Sequence, residues 1–104
     1  MTKPELFDLV ELLVDLPNEQ QVIGAQGTIV ECYDGGNYEV EFSNENGETL
    51  ALYTLASHQF MVVWQARTKK WVTTTDKVTS LINYLSEEKQ EELLNFARFL
   101  YHQA

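Results

Sequence analysis

The fold of this chain is decided by one stretch of sequence: Gly27-Thr-Ile-Val-Glu-Cys-Tyr33, Asp34-Gly-Gly-Asn37 and Tyr38-Glu-Val-Glu-Phe42. Two short runs rich in β-branched and aromatic residues flank a cluster of turn-forming residues, a pattern typical of a β-hairpin. The second run alternates apolar and acidic side chains, so one of its faces is apolar and the other is charged. Because an isolated pair of strands is not stable in water, other segments have to cover the apolar face.

The segment before the hairpin fits two interpretations. Its apolar residues match a helical stripe, but Val10, Leu12 and Val14 also alternate as in a strand. We favour a strand over about Asp8 to Val14, because the hairpin needs neighbouring strands, and we keep a helix as the alternative. Pro17 ends the segment in either case.

The segments after the hairpin predict two more strands. Gly47 can form the next turn, and Leu50 and Leu52 alternate with less apolar residues in the run 48–55. The run 58–64 is nearly continuous in apolar residues, as in a buried strand. Five short strands separated by turns favour a small, strongly bent sheet or barrel, and closure would protect the sheet edges.

The C-terminal part has a different character. Asp76 can cap a helix whose apolar residues Val78, Leu81, Ile82 and Leu85 have helical spacing. Ser86 can cap a second helix, in which we expect Leu93, Phe96, Ala97 and Leu100 to be buried. The sequence therefore predicts an α+β protein with three parts: a β-barrel over 1–64, a basic linker or extra β-ribbon over 65–75, and a helical hairpin over 76–104.

Charge is distributed unevenly along the 104 residues, whose formal net charge is −9. Up to Trp64, Lys3 is the only cation against eleven acidic residues, whereas the remainder holds six cations and five acidic residues. The acidic part should repel nucleic acid and anionic lipid and attract basic protein surfaces. Apolar runs are too short to span a bilayer, the start of the chain differs from a signal peptide, and Cys32 has no disulfide partner, so we expect a cytoplasmic protein.

Four motifs resemble those of a known bacterial family. They are Asp8-Leu-Val with Leu16-Pro17, Gly24 with Gly27-Thr-Ile-Val30, Tyr38-Glu-Val-Glu-Phe42, and Ala51-Leu-Tyr-Thr-Leu55. In this order they resemble the family known as domain of unknown function 4926, from whose usual Ala-Leu-Val-Thr-Leu motif the chain departs at Tyr53. The resemblance covers residues 6–64 and implies an SH3-like barrel. It implies no activity and no catalytic residues.

The residues available for catalysis or metal binding are few. Cys32, His58 and His102 are far apart in the sequence, unlike the closely spaced ligands of a structural zinc site. We interpret Cys32 as a small core residue and His58 as a surface residue. Glu39 and Glu41 share a strand face, where solvation would keep them from acting as an acid–base pair. We therefore expect no enzyme, no cofactor and no metal.

The C-terminal helices give the leading functional hypothesis. Their apolar stripe is wide. The tail also resembles a short helical module of small bacterial proteins that is often described as antitoxin-like. Proteins with this module are similar to proteins encoded beside toxins. We expect a non-catalytic protein that binds a basic partner, such as a toxin, through the tail and the acidic barrel. The predicted partner-binding residues are Leu93, Leu94, Phe96, Phe99, Leu100 and Tyr101.

Two other hypotheses come from the same residues. Cations and aromatic residues interleave at Trp64, Arg67, Lys69, Lys70 and Trp71, the combination that binds single-stranded nucleic acid. Three cations beside so acidic a region make this the weaker hypothesis. Alternatively, the tail helices pair with those of other copies in a structural homo-oligomer, or the stripe docks on the chain's own barrel.

Overall fold

A computed structural model describes residues 3–16, 21–44 and 46–103 of the chain. Pro17, which was predicted to end the first strand, and residues 18–20 of the predicted loop lie outside the described residues. The described chain forms one six-stranded antiparallel sheet followed by two helices, in agreement with the predicted α+β class.

The sheet consists of β1 (Leu9–Leu12), β2 (Gln26–Tyr33), β3 (Asn37–Ser43), β4 (Thr49–Ala56), β5 (Phe60–Gln65) and β6 (Lys70–Trp71). The strand order is β4-β3-β2-β1-β5-β6, so β5 returns across the sheet to pair with β1. The first segment is thus a strand, as favoured. The sheet ends at β4 and β6, and an SH3-like barrel stays a prediction.

The hairpin of β2 and β3 lies at the centre of this arrangement. Tyr33 pairs with Asn37, and the turn between them contains Gly35 and Gly36 at φ of 86° and 82°. Glycine adopts these positive φ values without the steric cost that other residues incur, so the turn is the one that Asp34-Gly-Gly predicts.

The core lies on one face of the sheet. Its buried residues come from alternate positions of five strands: Val10, Leu12, Ile29, Tyr38, Val40, Phe42, Leu55, Phe60 and Val62. Tyr38 and Phe60 meet edge to face, with ring centroids 5.6 Å apart. Gly27 is also buried, and a β-carbon there would lie 2.7 Å from Val40 Cγ1 and 2.9 Å from the Glu41 carbonyl oxygen. The strands approach closely because this position has no side chain.

In strand β4 the inward positions are not those of Leu50 and Leu52. Leu55 is buried and Ala51 and Tyr53 are partly buried, whereas Leu50 and Leu52 point outward and are 60% and 53% exposed. A short 3₁₀ turn, Ser57–Gln59, then leads into β5. His58 lies in this turn and is exposed, as predicted for a surface residue.

The helices are α1 (Thr74–Ile82) and α2 (Glu87–Gln103). Helix α1 packs against β5, and its cap is Thr73, whose hydroxyl accepts a hydrogen bond of 3.1 Å from the Asp76 amide. The prediction of Asp76 as the cap is therefore wrong. Asp76 lies in the first turn, because the helix begins at Thr74. The two helices do not pack along each other in the described chain.

Candidate functional site

Helix α2 leaves the body of the protein without packing on it. It begins where sequence predicted, with the Ser86 hydroxyl accepting a hydrogen bond of 3.3 Å from the Lys89 amide. Glu87 and Glu88 occupy its first turn, where negative charge favours the helix dipole. The Gln90 side chain donates to the carbonyl oxygens of Ile82 and Leu85, at 2.9 and 3.3 Å, and so fastens α2 to the end of α1.

No residue of α2 is buried. The predicted burial of Leu93, Phe96, Ala97 and Leu100 is wrong: Leu93 is half-buried and the other three are exposed. Helical periodicity identified the apolar stripe correctly, but no other element of the described chain packs along it. The exposed fractions are 44% for Leu94, 57% for Phe96, 53% for Phe99, 50% for Leu100 and 84% for Tyr101.

This exposed surface, which we call the α2 face, consists of Leu93, Leu94, Phe96, Ala97, Phe99, Leu100 and Tyr101. At 100° per residue its members cover about 220° of the helix circumference. Phe96 and Phe99 stack at one edge, with ring centroids 6.2 Å apart. Such an apolar face is typical of a helix that is covered by another protein surface.

The outward face of the sheet is acidic. Glu31 lies opposite Glu39 on the neighbouring strand, and Glu39 accepts hydrogen bonds from the hydroxyls of Thr54 and Tyr33, at 3.0 and 3.3 Å. Partial desolvation and the nearby Glu39 carboxylate raise the pKa of Tyr33 above its ordinary value. Two hydroxyl groups thus hold the Glu39 carboxylate on this face.

The basic and aromatic residues of the 64–71 segment are brought together in a hairpin. Strands β5 and β6 pair Trp64 with Trp71 and Gln65 with Lys70, whereas residues 74 and 75 of the region predicted as a linker or a ribbon belong to α1. Trp71 is 63% exposed, Arg67 and Lys69 lie in the turn, and Lys70 lies in β6. One of them, Arg67, forms an ion pair of 3.2 Å with Glu5.

Cys32 is exposed, so its interpretation as a core residue is wrong. An irregularity in the pairing of β2 and β3, between Ile29 and Glu31, ends the buried alternation, and the last three residues of β2 extend beyond the core. Desolvation, followed by the charge of Glu31, raises the pKa of the Cys32 thiol. No cluster of three potential metal ligands exists among the described residues.

Asp8 is a polar core residue that the sequence did not reveal. Its side chain is fully buried and accepts hydrogen bonds from two backbone amides, Glu5 at 3.0 Å and Ala66 at 2.9 Å. It thereby ties the start of the described chain to the turn between β5 and β6. Nothing in the local sequence distinguishes Asp8 from the other acidic residues, because its partners are backbone groups, one of them 58 residues away.

Two concave regions adjoin these elements. A shallow groove runs past Cys32, Tyr33 and Arg67, and a cavity of about 260 Å³ lies between α1 and the sheet, beside Tyr38, Phe60 and Tyr84. The Tyr84 hydroxyl lies 3.5 Å from the Ser57 carbonyl oxygen and bridges α1 to the 3₁₀ turn.

Comparison with known proteins places most of the sheet in a known family. The sequence model of a family described as a domain of unknown function, number 4926, matches residues 6–62. No curated protein and no solved structure is similar to the chain. The matched region ends within β5, and β6 and the two helices lie outside it. None of the described helices combines the length and the apolar character needed to span a membrane.

Proposed function

We propose that this chain, which belongs to the domain of unknown function 4926 family, is a non-catalytic protein-binding module. Its helix α2 would bind a basic partner. The observation that carries the proposal is the α2 face. Large apolar side chains that stay half exposed on a helix without intramolecular packing are stabilised when a partner covers them. The matching binding mode is that of an amphipathic helix whose apolar face lies in a hydrophobic groove of the partner.

Phe96 and Phe99 are the anchors of this contact. Aromatic side chains dominate binding energies because they bury a large area at a small cost in conformational entropy. Their stacked rings already have a defined mutual position, which lowers the entropy lost on binding. We expect Leu93 and Leu100, which border Phe96 on the helix surface, to adjoin these two rings in the complex.

The acidic sheet supports a basic partner. Eleven acidic residues against one cation up to Trp64 produce a negative potential that accelerates association with a cationic protein and weakens as salt is added. A toxin that binds nucleic acid would have such a surface, and we therefore propose an antitoxin-like role in the bacterial cytoplasm. The single cysteine suits that compartment, because no disulfide can form within the chain.

The test is recovery of the partner from the native cell with N-terminally tagged bait. We expect a basic protein that is recovered more strongly at low than at high salt. The double variant Phe96→Ser/Phe99→Ser should lose it, while His102→Ala, on the polar side of α2, should retain it. Recovery of no basic protein, or equal recovery with the double variant, would contradict the proposal.

The hairpin of β5 and β6 favours a second candidate, binding of single-stranded nucleic acid. It pairs Trp64 with Trp71 and places Lys69 and Lys70 beside them, which combines stacking with positive charge. Arg67 contributes less, because Glu5 already partly neutralises it. Filter binding with single-stranded RNA across salt tests this candidate: Trp71→Ala should abolish a salt-dependent isotherm, and a flat titration at low salt would exclude it.

A further inference from the structure

We propose that α2 also pairs with α2 of a second copy of this chain, antiparallel, along the edge of the α2 face that contains Leu94 and Ala97. This inference does not depend on the basic partner. The α2 face is about twice as wide as the apolar stripe of roughly 100° that one contact needs. It therefore has room for two contacts, and Phe96 and Phe99 lie on the side away from Leu94.

The dimer seam is defined by spacing. Gln90, Leu94, Ala97 and Tyr101 follow one another at intervals of four, three and four residues, the interval pattern of the core positions of a coiled coil. Ala97 has a small side chain in the middle of the seam, so two helix backbones can approach closely there. Gln90 marks the N-terminal end, because its amide is bonded to the end of α1.

The residues beside the seam are complementary to themselves only in the antiparallel orientation. Glu91 and Arg98 flank it on one side, and Leu93 and Leu100 flank it on the other. When Leu94 faces Ala97 of the second copy, Glu91 comes beside the second copy's Arg98, and Leu93 beside its Leu100. The two-fold axis repeats both contacts. A parallel pair would instead place the acidic first turns of the two helices, with Glu87 and Glu88, side by side.

Arg98 is available for this contact. It lies seven residues after Glu91, about 10.5 Å along the helix axis, so the two do not pair within one helix. Its guanidinium donates a hydrogen bond of 3.0 Å to Asn95, and within the described chain no carboxylate lies at ion-pair distance from it.

The total charge of the protein does not oppose this arrangement. Almost all of the excess negative charge lies before Gln65, whereas the remainder, which includes α2, holds six cations and five acidic residues. Two copies therefore approach through the nearly neutral end of the molecule. The acidic sheets stay apart, at distances where physiological salt screens their repulsion.

Sedimentation equilibrium of the full chain from about 1 to 200 μM brackets the range of a small helix–helix interface. We expect a monomer–dimer equilibrium that added salt weakens. Glu91→Arg and Arg98→Glu should each weaken dimerisation about tenfold or more, because each creates like-charge pairs. The double variant Glu91→Arg/Arg98→Glu should restore it, since the exchanged charges again face each other.

Controls separate the dimer seam from the partner contact. Phe99→Ser and His102→Ala should leave the dimer intact, and circular dichroism should show unchanged helix content in the charge variants. A monomer at every concentration would overturn the inference. So would a dimer that ignores the single charge reversals, or one that the double variant fails to restore.

Discussion

The sheet and helix α2 place their apolar side chains in opposite environments. In the sheet, side chains such as Phe42 and Phe60 are only 2% exposed, and even the carboxylate of Asp8 has its hydrogen-bond donors inside the protein. In α2, Phe96 and Phe99 are more than half exposed. Burial of an apolar face therefore depends on what lies opposite it. The sheet completes its own core, whereas α2 presents a face that another molecule can complete.

Replacing one phenylalanine in each region should change the free energy of unfolding very differently. Phe60→Ala should lower the free energy of unfolding by about 3–5 kcal/mol, because it opens a cavity beside Tyr38 in the core. Phe96→Ala should change it by no more than about 0.5 kcal/mol. Urea denaturation of the monomer at low micromolar concentration measures both. Equal losses in the two variants would show that α2 packs on the sheet in solution.

The sequence predicted the elements of both regions but not which of them would be buried. The strand predicted over about residues 8–14 is observed as Leu9–Leu12, and the prediction depended on the hairpin's need for neighbours, because periodicity alone also fitted a helix. Ser86 was recognisable as a cap because capping is a local interaction. The position of α2 relative to the sheet depends on the short connection 83–86, whose direction no pattern of apolar residues encodes. The stripe on α2 is therefore predictable, and its exposure is not.

The same distinction applies within the sheet. Alternation in β4 is visible in the sequence, but Leu50 and Leu52 fall on the outward face because Leu55 sets the opposite phase. Cys32 is exposed because β2 continues past the irregularity after Ile29. Asp8 gives no sequence signal, since its partners are backbone amides that only the fold brings together.

The second expected effect tests whether the body is held by polar as well as apolar contacts. Asp8→Ala should lower the free energy of unfolding by about 2–4 kcal/mol, because it leaves the backbone amides of Glu5 and Ala66 without acceptors. Glu5→Ala is the matched control: it removes only an exposed ion pair with Arg67 and should cost less than about 1 kcal/mol. If chemical denaturation finds Asp8→Ala no more costly than this control, the buried carboxylate is not a structural tie.

The third effect concerns the close approach of strands in the body. Gly27→Ala should lower the free energy of unfolding by about 1–3 kcal/mol, since its β-carbon would collide with Val40 and the Glu41 carbonyl oxygen. Gly24→Ala separates crowding from backbone strain, because a β-carbon there has no neighbour within 4 Å but the residue has a φ of 93°. Thermal unfolding followed by calorimetry measures both. A Gly27→Ala protein as stable as the parent would mean that β2 and β3 can move apart freely.

The fourth effect compares the two helix caps. Thr73→Ala and Ser86→Ala each remove a capping hydroxyl worth about 1 kcal/mol. For α1, which packs on β5, this loss should appear in the global free energy of unfolding. For α2 it should appear as roughly fivefold faster amide exchange within the helix, with global stability unchanged. A global loss with Ser86→Ala would place α2 in the same cooperative unit as the sheet.

The smallest expected effect concerns Cys32, which is exposed near the end of β2 and close to acidic residues. Desolvation and the Glu31 carboxylate raise the pKa of its thiol, so the folded protein holds this proton more tightly than the unfolded chain does. Raising the pH through the thiol's unfolded pKa should therefore favour the unfolded state slightly. Alkylation rates measured against pH should give a midpoint above that of the urea-unfolded chain, and Glu31→Gln should lower the folded midpoint. Identical midpoints in folded and unfolded protein would mean that the end of β2 is as solvated as α2, and the contrast between the two regions would then stop at the core.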